Sequence, residues 1–146
     1  MAVAHEAIAR PLFEADVAAL TDPAAERLQL VVHTKQWPVL DVTVAHSKPL
    51  RLRFTCDSWN TLAPSIQLQA IDGTPLRALP PGMSGIFNPG PHPTTGLPFV
   101  CMRGSREYHN HPGHQNDRWD QYRNVDGMNI VGILMQLKDE WQKKTA

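Results

Sequence analysis

The spacing of hydrophobic residues changes period along this chain, and each change marks an element. Over residues 5–20, Ile8, Leu12, Ala15 and Ala19 recur at helical spacing, with Phe13, Val17 and Leu20 beside them. That period predicts an N-terminal helix. Pro11 suits a first helical turn, so the helix is expected to begin there. Thr21-Asp22-Pro23 ends it, and Pro23 opens a short second helix through Ala25. The period then drops to two. Leu28, Leu30 and Val32 alternate with polar residues. Leu40, Val42 and Val44 alternate with Val39, Asp41, Thr43 and His46; Leu50, Leu52 and Phe54 with Arg51 and Arg53; Ile66, Leu68 and Ala70 with Gln67 and Gln69. Four strands with one buried and one wet face follow from this pattern. Gln36-Trp37-Pro38, Ser47-Lys48-Pro49 and residues 60–64 separate them, and such short connections predict an antiparallel meander.

From Pro75 to Pro98 the periodicity is lost. Seven of the thirteen prolines fall there, with Gly82, Gly85, Gly90 and Gly96. Ile86, Phe87 and Leu97 anchor this stretch, which predicts a long ordered loop. A helical period returns from about Met128 to Lys143. Ile130, Leu134, Leu137 and Trp141 form one stripe, widened by Val131 and Ile133. Asp126 is placed to cap its start, and Lys143 and Lys144 complement the dipole at its end. The order is helix, four-stranded meander, proline-rich loop, then helix: one α+β domain over residues 1–146.

Composition narrows the function classes. Fourteen basic residues balance fourteen acidic ones, so no charge excess points to nucleic acid or an anionic membrane. No apolar run approaches the ~20 residues that span a bilayer. The N-terminus lacks the basic and apolar regions of a signal peptide. Cys56 and Cys101 make no disulfide framework, so a cytoplasmic protein with reduced thiols is expected.

The chemistry-bearing residues concentrate in one place. Residues 101–114 read Cys-Met-Arg-Gly-Ser-Arg-Glu-Tyr-His-Asn-His-Pro-Gly-His, with one of two cysteines and three of seven histidines. Glu107, His109 and His111 are spaced i, i+2, i+4, which puts them on one face of an extended chain. Extended, they span about 13 Å, too far for ligand bonds of ~2.0–2.3 Å. A hairpin with its turn at Arg103–Arg106, helped by Gly104-Ser105, is expected to bring Cys101 and these three together. A thiolate, a carboxylate and two imidazoles suit tetrahedral Zn²⁺ better than Mg²⁺ or Ca²⁺. His114 is an alternative ligand, since Pro112-Gly113 can turn it inward. His5, His33 and His46 are expected to be ordinary surface or sheet residues. Cys56 and the four tryptophans are expected to be packing residues, and His92 to structure its loop.

This plan resembles the ubiquitin-conjugating (UBC-like) fold, in which a helix and a four-stranded meander precede a loop with a His-Pro-Asn element and then a catalytic cysteine. Here His92-Pro93-Thr94 stands at that element, and Gly96-Leu97-Pro98-Phe99-Val100-Cys101 resembles the approach to the cysteine. Thr94 replaces the asparagine that supports the oxyanion in the conjugating enzymes. The segment after Cys101 is similar to the Cys-Glu-His-His signature of a predicted bacterial metal-binding family found in operons with ubiquitin-like proteins. The resemblance implies Zn²⁺ on Cys101, Glu107, His109 and His111. It also implies partners among a ubiquitin-like protein and its activating and conjugating enzymes.

Three readings follow. In the first, a closed zinc site stabilises a non-enzymatic module that acts by protein contact. In the second, Cys101 is a free nucleophile that carries a ubiquitin-like protein as a thioester. In the third, an open metal site with Glu107 as general base hydrolyses a substrate.

Overall fold

The computed structural model describes residues 5–146. Helix α1 spans Glu6–Val17, and the His5 Nδ1 accepts from the Ala7 N–H at 3.1 Å to cap it. It starts earlier than Pro11, which lies inside the helix on its exposed side. The face turned inward also differs from the expected stripe. Ala9, Phe13 and Val17 are buried, whereas Ile8 is 60% exposed and Leu12 41%. A rotation of about 100° about the axis, one residue's worth, decides this, and burying Phe13 removes the largest apolar side chain of the helix from water. Helix α2 spans Asp22–Arg27, with the Thr21 hydroxyl accepting from the Ala24 N–H.

Strands β1 (Leu30–Gln36), β2 (Val39–Val44), β3 (Leu50–Thr55) and β4 (Ser65–Gln69) form one antiparallel sheet in the order β1-β2-β3-β4. Leu40, Val42, Val44, Leu50, Leu52, Phe54, Ile66 and Leu68 line its inner face. The other face is less wet than alternation predicts. Asp41 is 1% exposed. Arg51 Nε donates to its Oδ1 at 2.8 Å and Arg53 Nη1 to its Oδ2 at 3.2 Å. The register sets Arg53 directly opposite Asp41, so the long arginine stems fold over the carboxylate and cover it.

The proline-rich stretch carries strand β5 (Phe87–Asn88), which pairs with β6 (Phe99–Val100). Helix α3 (Arg106–His109) and two single 3₁₀ turns follow, and α4 (Ile130–Lys144) closes the chain. In α4, Ile130, Ile133, Leu134, Leu137 and Trp141 are buried. Trp141 packs edge-on to Phe87 and donates from Nε1 to the Lys48 carbonyl at 2.7 Å. The cap is Asn129, not Asp126: its Oδ1 accepts from the Gly132 N–H at 2.7 Å. Three residues from the first helical N–H groups is too far for Asp126 to cap them. Among the described residues, no helix is long and apolar enough to cross a membrane.

The start of α4 yields a prediction against helix propensity. A Cβ on Gly132 would lie 2.5 Å from the Gly127 carbonyl oxygen and 2.8 Å from Asn129 Oδ1. Alanine normally stabilises a helix interior over glycine by about 1 kcal/mol. Here backbone crowding should reverse the sign, with Gly132→Ala costing about 1–3 kcal/mol. Urea denaturation checks it, and a stabilised variant would show that the turn at Gly127 yields freely.

Candidate functional site

The β5–β6 ladder builds the site from below. Phe87 faces Val100 and Asn88 faces Phe99, and the Cys101 N–H donates to the Ile86 carbonyl at 2.6 Å. Alternation puts Phe87 and Val100 into the core, where both are fully buried. Asn88, Phe99 and Cys101 therefore share the opposite face, with Asn88 and Cys101 as diagonal neighbours. His111 stacks on Phe99 with ring centroids 5.8 Å apart and planes 17° apart.

His92 orders the loop above this ladder, as the sequence leads one to expect. It is 1% exposed. Its Nδ1 accepts from the Thr94 N–H at 3.0 Å, so Nε2 carries the proton. Nε2 then donates to the Glu107 carbonyl and to Asn110 Oδ1, each at 2.9 Å. The loop is thereby tied to α3. Thr94 contributes its backbone amide, and its side chain is exposed at the loop tip.

After Cys101 the chain turns through Gly104 at φ 103° and enters α3, which the Ser105 hydroxyl caps by accepting from the Tyr108 N–H. A Cβ at Gly104 would also press on Ile133 at 3.0 Å. The turn is as expected, but the strand after it is a helix. Residues two apart in a helix point about 200° apart at 3.6 residues per turn. Glu107 and His109 consequently face away from each other.

Glu107 faces the sheet and is 6% exposed. Its carboxylate accepts from the Ser65 hydroxyl at 2.6 Å and from the Ile66 N–H at 2.8 Å. That pins α3 against the free edge of β4 and satisfies an edge N–H. His109 faces the opposite way. Its Nε2 accepts from the Gly104 N–H at 3.1 Å, and its Nδ1 donates to the Asp117 carbonyl at 2.8 Å. Burial, the larger influence, pushes its pKa down, which agrees with a neutral ring using both nitrogens.

The segment closes on Asp117, which sequence reading did not single out. Its carboxylate accepts from the phenols of Tyr108 and Tyr122 and from Arg103 Nε. Tyr108 first, then Tyr122 and Arg103, hold it well below the usual carboxylate range. Tyr108 in turn stacks on His114 with centroids 4.0 Å apart. This sets His114 Nε2 at 3.7 Å from Cys101 Sγ. His111 spends its Nδ1 on the Gly113 N–H, with its ring centroid 5.5 Å from that of His114.

Cys101, Glu107, His109 and His111 are thus not brought together, and the hairpin expected to join them is not formed. Among the described residues, no three His, Cys, Asp or Glu side chains converge as a group able to hold a metal. A tetrahedral Zn²⁺ on the four predicted ligands does not fit this arrangement, because Glu107 and His109 are spent in hydrogen bonds on opposite sides of α3. Glu107 is equally unfit as a general base, since both its oxygens face Ser65 and Ile66. What the structure does assemble is a half-buried thiol flanked by His114 and Asn88. Burial raises the pKa of Cys101, and a hydrogen bond from the Asn88 side chain opposes that rise. Cys56 is fully buried and its pKa is raised strongly by burial, as befits an inert core residue. Asn88 lies in an Asn-Pro-Gly turn signature, and that was the one cue to it.

Searched against models of known families and against curated proteins, the chain matches none.

Proposed function

We propose that this chain is a UBC-like module of a bacterial ubiquitin-like conjugation system, working through Cys101 as an acyl carrier. One observation carries the reading. Of the two cysteines, Cys101 alone is accessible; it follows a loop ordered by the buried His92 and has the His114 imidazole 3.7 Å from its sulfur. The element order supports it, since a helix, an antiparallel four-stranded meander and a C-terminal helix frame that cysteine. The partners are a ubiquitin-like protein and its activating enzyme.

In this reading Cys101 Sγ attacks the carbonyl carbon of the acyl group that the activating partner holds as a thioester. A new S–C bond forms and the partner's S–C bond breaks. The proton of Cys101 passes through His114 Nε2 to the departing thiol. An amine then attacks the carbonyl, forming a C–N bond, and Cys101 leaves as the thiol. The protein supplies position and proton handling.

Incubation with an activating enzyme, ATP and the ubiquitin-like protein tests this. A reductant-sensitive adduct, absent in Cys101→Ser and slowed by about 10²–10⁴-fold in His114→Ala, is the expected result. An adduct that survives Cys101→Ser, or none in the wild type, overturns it.

A zinc-stabilised module is the second reading, with Cys101 and His114 as the two residues placed to hold the metal. Zn–S of ~2.3 Å and Zn–N of ~2.0–2.1 Å at a tetrahedral angle place sulfur and nitrogen ~3.6 Å apart. The Cys101–His114 separation of 3.7 Å matches that span. Stoichiometric zinc lost in both Cys101→Ser and His114→Ala, with no adduct, selects this reading.

A further inference from the structure

The turn between β2 and β3, the segment that follows β4 and the last turns of α4 border a second cleft of about 580 Å³. That volume lies within the ~300–1,000 Å³ range of small-molecule sites. No residue placed around Cys101 above lines it. Its walls are largely apolar. Pro49, Leu76 and Leu79 line it together with the buried Leu50 and Trp141, and Ile71 adds an apolar side chain that is 61% exposed. Trp141 is held edge-on by Phe87 and by its bond to the Lys48 carbonyl, so this wall is fixed before any ligand arrives.

Four N–H donors of the walls are already spent. Trp141 Nε1 donates to the Lys48 carbonyl, Gln69 Nε2 to Gln67 Oε1 at 2.7 Å, the Ala70 N–H to the Thr74 carbonyl at 2.8 Å and the Leu76 N–H to the Leu68 carbonyl at 2.9 Å. The last two bonds also pair this end of β4, so an extended peptide finds no ladder to join there. Lys48 is the one charged residue that lines the cleft. It is exposed, and no acid pairs with it among the described residues. The acids next in sequence to the lining are engaged elsewhere. Asp72 Oδ1 accepts from the Thr74 hydroxyl at 2.7 Å, and Glu140 pairs with Lys144 at 3.9 Å.

An apolar cleft with a single unpaired cation complements an apolar body that carries one negative charge. A phosphate ester would set three strong acceptor oxygens beside one ammonium and leave most of them unmet. We propose that this cleft binds a small aromatic or branched monocarboxylate, with its apolar body against Leu50, Leu79 and Trp141 and its carboxylate on Lys48 Nζ. The site is independent of the acyl-carrier role of Cys101.

Naphthoate, naphthamide and naphthylmethylamine test this, since they share a ring system and differ in charge. Each is titrated into the full chain and followed by nitrogen–proton correlation NMR. Naphthoate should saturate one site, shifting the Trp141 indole N–H and backbone amides within residues 47–50 and 69–79. Naphthamide should bind about two- to fivefold more weakly, with the difference shrinking as salt is raised. Naphthylmethylamine should bind most weakly. In Lys48→Glu the order of acid and amine should invert while naphthamide keeps its affinity, and folding is not at stake at so exposed a position. Ala78→Trp, at another exposed lining position, should fill the cleft and abolish binding of all three. Cys101→Ser should bind as the wild type does, so this site and the acyl-carrier role stand or fall separately. Shifts that spread over other surfaces without saturating, equal binding of acid and amine, or an order untouched by Lys48→Glu overturns the proposal.

Discussion

Leu134→Ala is expected to lower the stability of the protein by about 2–5 kcal/mol. Leu134 is fully buried on α4, between Ile130 and Leu137 on the same stripe and beside Ile133. Truncation removes the apolar area that leucine takes from water and leaves a cavity that the close-packed core around it cannot fill. For a chain of this size each kcal/mol moves the Tm by roughly 2–4 °C, so calorimetry should read a drop of about 5–15 °C. A loss below about 0.5 kcal/mol, the range of exposed positions, would mean that α4 does not pack through this face.

Glu107→Ala is expected to cost about 2–4 kcal/mol, because it orphans the Ile66 N–H and removes two hydrogen bonds to a charged group. The carboxylate also joins α3 to the edge of β4, so the loss should appear as looser packing of the whole 101–117 segment. Glu107→Gln keeps one accepting oxygen of the same shape and should lose less. Denaturation in the presence of a chelator separates this role from the ligand role that the Cys-Glu-His-His resemblance implies. A structural Glu107 destabilises on substitution with or without chelator. A zinc ligand would do so only when metal is present.

The two expectations for Glu107 show where sequence reading stops. Spacing of i, i+2, i+4 puts Glu107, His109 and His111 on one face only if the backbone is extended. Four residues of helix, started by the Ser105 hydroxyl, undo that geometry. Nothing local foretold it, since Ser-Arg-Glu-Tyr suits a turn as well as a cap. The groups that then claimed each side chain lie outside the helix itself: Ser65 and Ile66, 42 and 41 residues away, for Glu107, and Gly104 and Asp117, five and eight residues away, for His109. A similar limit applied to α1, where two overlapping stripes were both hydrophobic and docking chose the one with Phe13.

By itself the sequence determined what depends on periodicity and on residue chemistry. The period of two over residues 30–69 is enough to specify a meander, because register and turn length leave little choice. The stripe from Ile130 to Trp141 names the buried face of α4, and the proline-rich stretch declares an ordered loop ending at Cys101. Tertiary structure alone decided which groups Cys101 meets. His114 reaches the thiol only because Tyr108 stacks beneath it and Asp117 holds Tyr108, and Asn88 only because β5 pairs with β6. Those contacts join segments through side-chain packing and cross-strand register, and neither is written in the spacing of residues along one segment.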